Sequence, residues 1–121
     1  MSRVSSIKKS QKESLLRREI SSLLQQASLD MPSIAGLDVS RVTLSDDKSV
    51  CSVFFYSPEG MATFERKLKD LTLFKPSLRK AIAQRVASRF VPEIIFKYDT
   101  QLEKQLAIER LLDTLKEPGS Q

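Results

Sequence analysis

The chain contains no histidine and no tryptophan among its 121 residues, and it has a single cysteine, Cys51. Without histidine, no imidazole metal site and no histidine-based triad can form. One cysteine cannot close an internal disulfide or build a thiolate zinc site. Cys51 falls in a stretch of alternating apolar residues, where a buried, inert thiol is expected rather than a nucleophile. Only three glycines are present, Gly36, Gly60 and Gly119, and none lies in a phosphate-binding loop or a dinucleotide fingerprint. No apolar run approaches the roughly 20 residues needed to span a bilayer. Met1 to Lys12 is polar and lacks an apolar core segment, so no secretory signal and no membrane association are expected. With the lone thiol, this makes a reducing, cytoplasmic setting the simplest expectation. Acidic pairs are scarce, and the one at Asp46-Asp47 is explained by a turn. Nothing supports an enzyme, and no cofactor is expected.

What is present is a globular composition, 40% apolar and 29% charged, of a size suited to one domain with its own core. Residues 1–9 are expected to be a flexible N-terminus, residues 10–116 a single domain, and residues 117–121 a polar tail. A helix is predicted over about 10–27, where Leu16, Ile20, Leu23, Leu24 and Ala27 form one stripe. Asp38 to Leu44 and Val50 to Tyr56 read as strands around a turn at Ser45-Asp46-Asp47-Lys48. Cys51, Val53 and Phe55 point one way on the second strand, and Phe54 and Tyr56 the other. Ser57-Pro58-Glu59 reads as a helix start. Met61, Phe64, Leu68 and Leu71 follow at helical spacing. Lys75-Pro76 predicts a break near residues 72–76, then a further helix carrying Leu78, Ile82, Val86 and Phe90. Ile94, Phe96 and Tyr98 alternate as a third strand. Thr100 with Glu103 matches a capping box for a last helix bearing Ile108, Leu111, Leu112 and Leu115. The predicted order is α-β-β-α-α-β plus a C-terminal helix, an α+β fold with helices packed on a three-stranded sheet.

The net charge of +5 is unevenly placed. No acidic residue lies between Asp70 and Glu93, an interval that holds Lys75, Arg79, Lys80, Arg85 and Arg89. The N-terminal segment adds Arg3, Lys8, Lys9, Lys12, Arg17 and Arg18. Two such segments converge on one phosphate-tracking surface if the first helix lies beside the third. At about 100° per residue, Arg79 and Arg89 fall within the apolar arc of the third helix and Arg85 at its edge. Two readings stay open for them. Their stems can pack on apolar surface while the guanidinium groups pair with local acids, or they can form a row of forked donors for phosphate. For Lys75 and Lys80, spacing alone favours plain solvated lysines over phosphate contacts. The strand aromatics are expected to serve packing, not base stacking.

Leu78-Arg79 through Arg89-Phe90-Val91-Pro92-Glu93-Ile94-Ile95-Phe96-Lys97-Tyr98-Asp99 resembles the signature of the ribosome-binding factor A family. The Ser45-x-Asp47 turn, followed by Cys51-Ser52-Val53-Phe54-Phe55, is similar to that family's turn and second strand. Arg18-Glu19-Ile20 with Leu23-Leu24 is similar to its first helix. The resemblance implies a KH-like domain of the second type. It also implies a non-catalytic monomeric factor that binds small ribosomal subunits and precursor small-subunit rRNA, acts near the 5′ end of that rRNA, and supports growth in the cold. The RNA-binding residues would then be Lys8, Lys9, Lys12, Arg17, Arg18, Lys75, Arg79, Lys80, Arg85 and Arg89. Two departures stand out: Phe74-Lys75-Pro76 replaces the family's Ala-x-Gly kink, and Asp46 occupies a turn position where the family often has arginine. A protein-interaction module with incidental RNA affinity is the alternative reading, its contact being the apolar C-terminal helix.

Overall fold

In the computed structural model, residues 3–86 and 91–116 are described, with side chains from Ser6 onward. Helix α1 (Arg3–Asp30) is followed by a single 3-10 turn (Pro32–Ile34), strands β1 (Asp38–Leu44) and β2 (Val50–Tyr56), helix α2 (Met61–Arg85), strand β3 (Glu93–Tyr98) and helix α3 (Thr100–Lys116). The sheet order is β1-β2-β3. β1 and β2 form an antiparallel hairpin, whereas β2 and β3 are parallel. Parallel neighbours need a crossover connection, and α2 is that crossover. This is the expected α+β architecture on a three-stranded mixed sheet.

The hairpin turn is built by short hydroxyl side chains around one carboxylate. Asp47 Oδ1 accepts from the Ser45 hydroxyl at 2.7 Å, the Ser49 hydroxyl at 2.7 Å and the Ser49 amide at 3.0 Å. These bonds hold the exposed Asp47 carboxyl down at about 2, with the Ser49 hydroxyl contributing most. Lys48 supplies the left-handed residue, at φ 63°.

One side of the sheet carries the core. Val42, Leu44, Cys51, Val53, Phe55, Ile94, Phe96 and Tyr98 point inward and are buried. Leu16, Ile20, Leu23 and Leu24 of α1 and Phe64, Leu71, Leu78 and Ile82 of α2 close over them. Phe55 meets Phe64 at 5.9 Å and Phe96 at 5.5 Å between ring centres. Burial and the nearby Glu13 push the Cys51 thiol up to about 11, so it stays protonated and unreactive.

The chain differs from the expected pattern at several joints. The first helix begins at Arg3, roughly two turns before the expected start. The break expected at residues 72–76 does not occur: α2 runs unbroken through Pro76, so one helix stands where two were expected. An internal proline costs about 3 kcal/mol. Leu71, Leu78 and Ile82 continue one buried stripe on both sides of it, and each such side chain contributes roughly 1.5–3 kcal/mol by leaving water. The expected last turn through Phe90 lies outside the described residues. Ser57 does not cap α2. It closes a turn to Gly60, whose amide donates to the Ser57 carbonyl at 3.0 Å, and Gly60 at φ 95° is the residue preceding the helix. Met61, expected in the apolar stripe, is 40% exposed.

Helix α3 buries none of its residues, and Ile108, Leu111, Leu112 and Leu115 lie between 48% and 74% exposed. Its stripe therefore contributes little to the domain's own stability. Replacing Leu78 with alanine should cost about 2–5 kcal/mol. The same change at Leu111 or Leu115 should cost less than about 0.5 kcal/mol. Urea unfolding of the three variants checks this, and comparable losses would contradict the placement of α3.

Candidate nucleic-acid interface

The sheet positions the basic residues by separating the two flanks of each covering helix. On α1, at about 100° per residue, Lys12 and Arg17 lie about 140° apart, and Arg18 points directly away from the core. Lys8, Arg17 and Arg18 are exposed, with no ion pair or hydrogen bond among the described residues. Lys9 reaches the hairpin turn and pairs with Asp46 at 3.2 Å. Lys12 is half-buried. Asp46 neutralises one cation of α1, Lys9.

On α2 the cations face three ways. Lys75 and Arg79 lie toward β3: the Lys75 ammonium sits 5.4 Å from the centre of the Phe96 ring. Arg79 donates from Nε to the Pro92 carbonyl at 3.3 Å and from Nη2 to the Val91 carbonyl at 3.2 Å. Arg79 thus closes the end of the segment that leads into β3. Arg85 faces α1, donating to Glu19 at 3.3 Å and to Gln26 at 3.5 Å. Lys80 stands exposed with no partner among the described residues. Arg89 lies outside the described residues. The two helices do lie side by side, and Arg85 is where their charged flanks meet. A local acid occupies it there, as one of the two readings of the arginine arc anticipated. The Arg85–Glu19 pair is partly exposed, so it is worth only about 0.2–1 kcal/mol, and a phosphate can compete for the guanidinium.

Sequence reasoning passed over a second polar cluster, at the end of the sheet where α3 begins. Asp99, 3% exposed, joins β3 to α3. Its Oδ1 accepts from the Leu102 amide at 2.9 Å, which makes Asp99 the cap of α3 in place of Thr100. Its Oδ2 accepts from the Ser40 hydroxyl at 2.7 Å and from Arg41 Nε at 3.2 Å. Burial alone would raise the Asp99 carboxyl, but the Leu102 amide, Ser40 and Arg41 together hold it below its ordinary 3.8. Arg41 also lies over the Phe54 ring, 4.0 Å from its centre. The Arg-x-x-Pro-Glu motif ending in aspartate was the only sequence signal for this hub. Its partners, Ser40 and Arg41, are nearly sixty residues away in the chain. Among the described residues, no group of acidic or thiol side chains could hold a metal ion, and no described helix is long and apolar enough to cross a membrane.

Helices on one face of a mixed three-stranded sheet, with cations along both helices, define a KH-like domain. The family model for ribosome-binding factor A matches residues 8–112, and the chain belongs to that family. A ribosome-binding factor A of Prochlorococcus marinus strain MIT 9215 is 36% identical over 104 residues, which is 85% of this chain and 80% of the relative. One from Rhodopseudomonas palustris strain BisB18 is 32% identical over 109 residues, 88% of this chain and 77% of the relative. The crystal structure of ribosome-binding factor A from Thermus thermophilus superposes with a TM-score of 0.65 at 31% identity, covering 74% of this chain and 93% of that one. The solution structure of a putative ribosome binding factor A from Thermotoga maritima gives a TM-score of 0.56 at 26% identity, covering 70% and 84%.

The capping hub has a pH signature. A carboxyl held below its ordinary value stabilises the fold above pH 3.8, and this stabilisation fades as pH falls through the lowered value. Asp99→Asn should therefore cost about 1–2 kcal/mol at neutral pH and flatten the loss of stability on acidification. Thermal melts between pH 7 and pH 2 check this. An unchanged acid slope would show that Asp99 is not a principal acid-sensitive group.

Proposed function

We propose that this chain is an assembly factor for the small ribosomal subunit. In this reading it binds structured RNA of immature subunits without catalysing a reaction and favours maturation of precursor small-subunit rRNA near its 5′ end. It would matter most at low temperature, where misfolded RNA escapes slowly. Membership in the ribosome-binding factor A family over nearly the whole chain carries this reading. The exposed Lys8, Arg17, Arg18 and Lys80, which make no internal contact among the described residues, support it as a surface available to phosphates. Arg85 joins them once Glu19 is displaced. Lys9, Lys12, Lys75, Arg79 and Arg89 complete the proposed set, with Arg79 also serving the fold.

A second reading rests on α3, whose four exposed apolar residues could contact a partner protein. Association that survives ribonuclease and high salt would favour it.

Sedimentation of cell extract through a sucrose gradient tests the proposal. The protein should travel with free small subunits and not with full ribosomes. Substituting Arg18 and Lys80 with alanine should leave the melting temperature in place and weaken binding to purified small subunits. The log-log salt dependence should flatten by about one unit per lost phosphate contact. Unchanged binding by the folded variant would remove this surface from the interface, and migration away from small subunits would sink the assignment.

A further inference from the structure

The face of the sheet turned away from α1 and α2 has no role in the reading above. Its central row is set by register, Arg41 opposite Phe54 and Phe54 opposite Lys97. Two cations approach the same ring, Arg41 at 4.0 Å and Lys97 at 5.7 Å from its centre. The next row holds Thr43 and Ser52, which are small and polar, and Ile95, a large apolar side chain 37% exposed. Among the described strand residues, the acidic ones on this face are Asp38 and Glu93 at its ends, and Asp99, which binds Arg41, borders it where α3 begins.

The Arg41 guanidinium is fixed in place. Nε is bound to the buried Asp99 and the group rests on Phe54, yet the side chain remains 43% exposed. No hydrogen bond runs from its terminal nitrogens to any described residue. Beside it lies a groove of about 250 Å³ lined by Ser40, Arg41, Asp99, Gln101, Leu102 and Gln105. Gln101 and Gln105 stand one helical turn apart on α3, so their amides face the same space. Gln105 donates to Glu109 at 3.3 Å, which leaves its carbonyl oxygen and second hydrogen available.

The geometry points to a second RNA-binding surface that takes one nucleotide of a single strand. Its base stacks on the Arg41 guanidinium, its edge meets the amides of Gln101 and Gln105, and its phosphate is drawn to Lys97. Planar guanidinium groups and aromatic rings are the platforms on which unpaired bases stack, and amide side chains read base edges. A double helix cannot enter, because its bases are already stacked. The surface is separate from the helical one, since Arg18 and Lys80 lie on the opposite side of the sheet. The inference rests on the reading that the partner is RNA and adds the kind of strand this face accepts.

The test uses the full chain with a short, unstructured, fluorescein-labelled oligoribonucleotide, and a second copy carrying 2-aminopurine, whose emission falls on stacking. Wild-type protein should bind the first and quench the second. Gln101→Ala with Gln105→Ala, both on the exposed side of α3, should weaken binding about tenfold with the melting temperature unchanged. Arg41→Lys keeps the charge but loses the plane, and should lose the quenching. Neither change should alter binding to duplex RNA. Absence of single-strand binding by the wild type, or full affinity in the folded glutamine variant, would overturn the inference. Those results would leave small-subunit co-sedimentation untouched, whereas failure of co-sedimentation would strike the assembly-factor reading itself.

Discussion

The parallel pairing of β2 with β3 governs the architecture. A tight turn cannot join parallel neighbours, so the chain must leave the end of β2, travel the length of the sheet and re-enter at its start. Helix α2 makes that journey, and its 25 residues fix what lies on either flank. One flank faces β3 and holds Lys75 and Arg79; the other faces α1 and holds Arg85. The helix interior must therefore stay continuous over its whole length. This explains why Pro76 is tolerated: the apolar stripe on both sides of it is anchored to the same core, and breaking the axis would lift Leu78 and Ile82 out of contact.

The same arrangement explains why cations that are adjacent in sequence do different things. Arg79 spends its donors on two backbone carbonyls and Lys9 is balanced by Asp46. Arg85 is held by Glu19, while Lys80 and Arg18 face water. Net charge describes none of this. What decides each role is the angle at which a side chain leaves its helix and whether a carboxylate or carbonyl waits there. Glu19 and Asp46 keep long side chains ordered at little cost in energy.

Much of the fold was legible in the residues. All three strands were apparent from period-two alternation, and the α1 core stripe from Leu16, Ile20, Leu23 and Leu24. Local rules failed where a tertiary contact outweighed them. Proline disfavours a helix interior, but burial of Leu71 and Leu78 overrides that at residue 76. Thr100 and Glu103 fit a capping box, yet Asp99 lies closer to the free amides and is held in place by Ser40 and Arg41. The apolar residues of α3 look like a core stripe, but the helix projects from the domain. For the basic residues, spacing showed that Arg79 and Arg85 sit near the apolar arc. It could not name Glu19, 66 positions away from Arg85, as a partner.

The three-strand order leaves both β1 and β3 as outer strands, each with one row of backbone amides and carbonyls facing away from the sheet; on β1 the Leu44 amide of that strand donates to the Glu13 carboxylate at 2.7 Å. Such rows are templates for unwanted strand addition between copies of a protein. Here both borders are guarded. β1 is disrupted between Val39 and Arg41 by an irregular step, so its pairing groups do not run in a flat line. β3 exposes Glu93 and Lys97 at its two ends, and a second copy sliding alongside would have to strip water from those charges. The irregularity beside Arg41 thereby also denies a second copy a flat edge on which to add a strand.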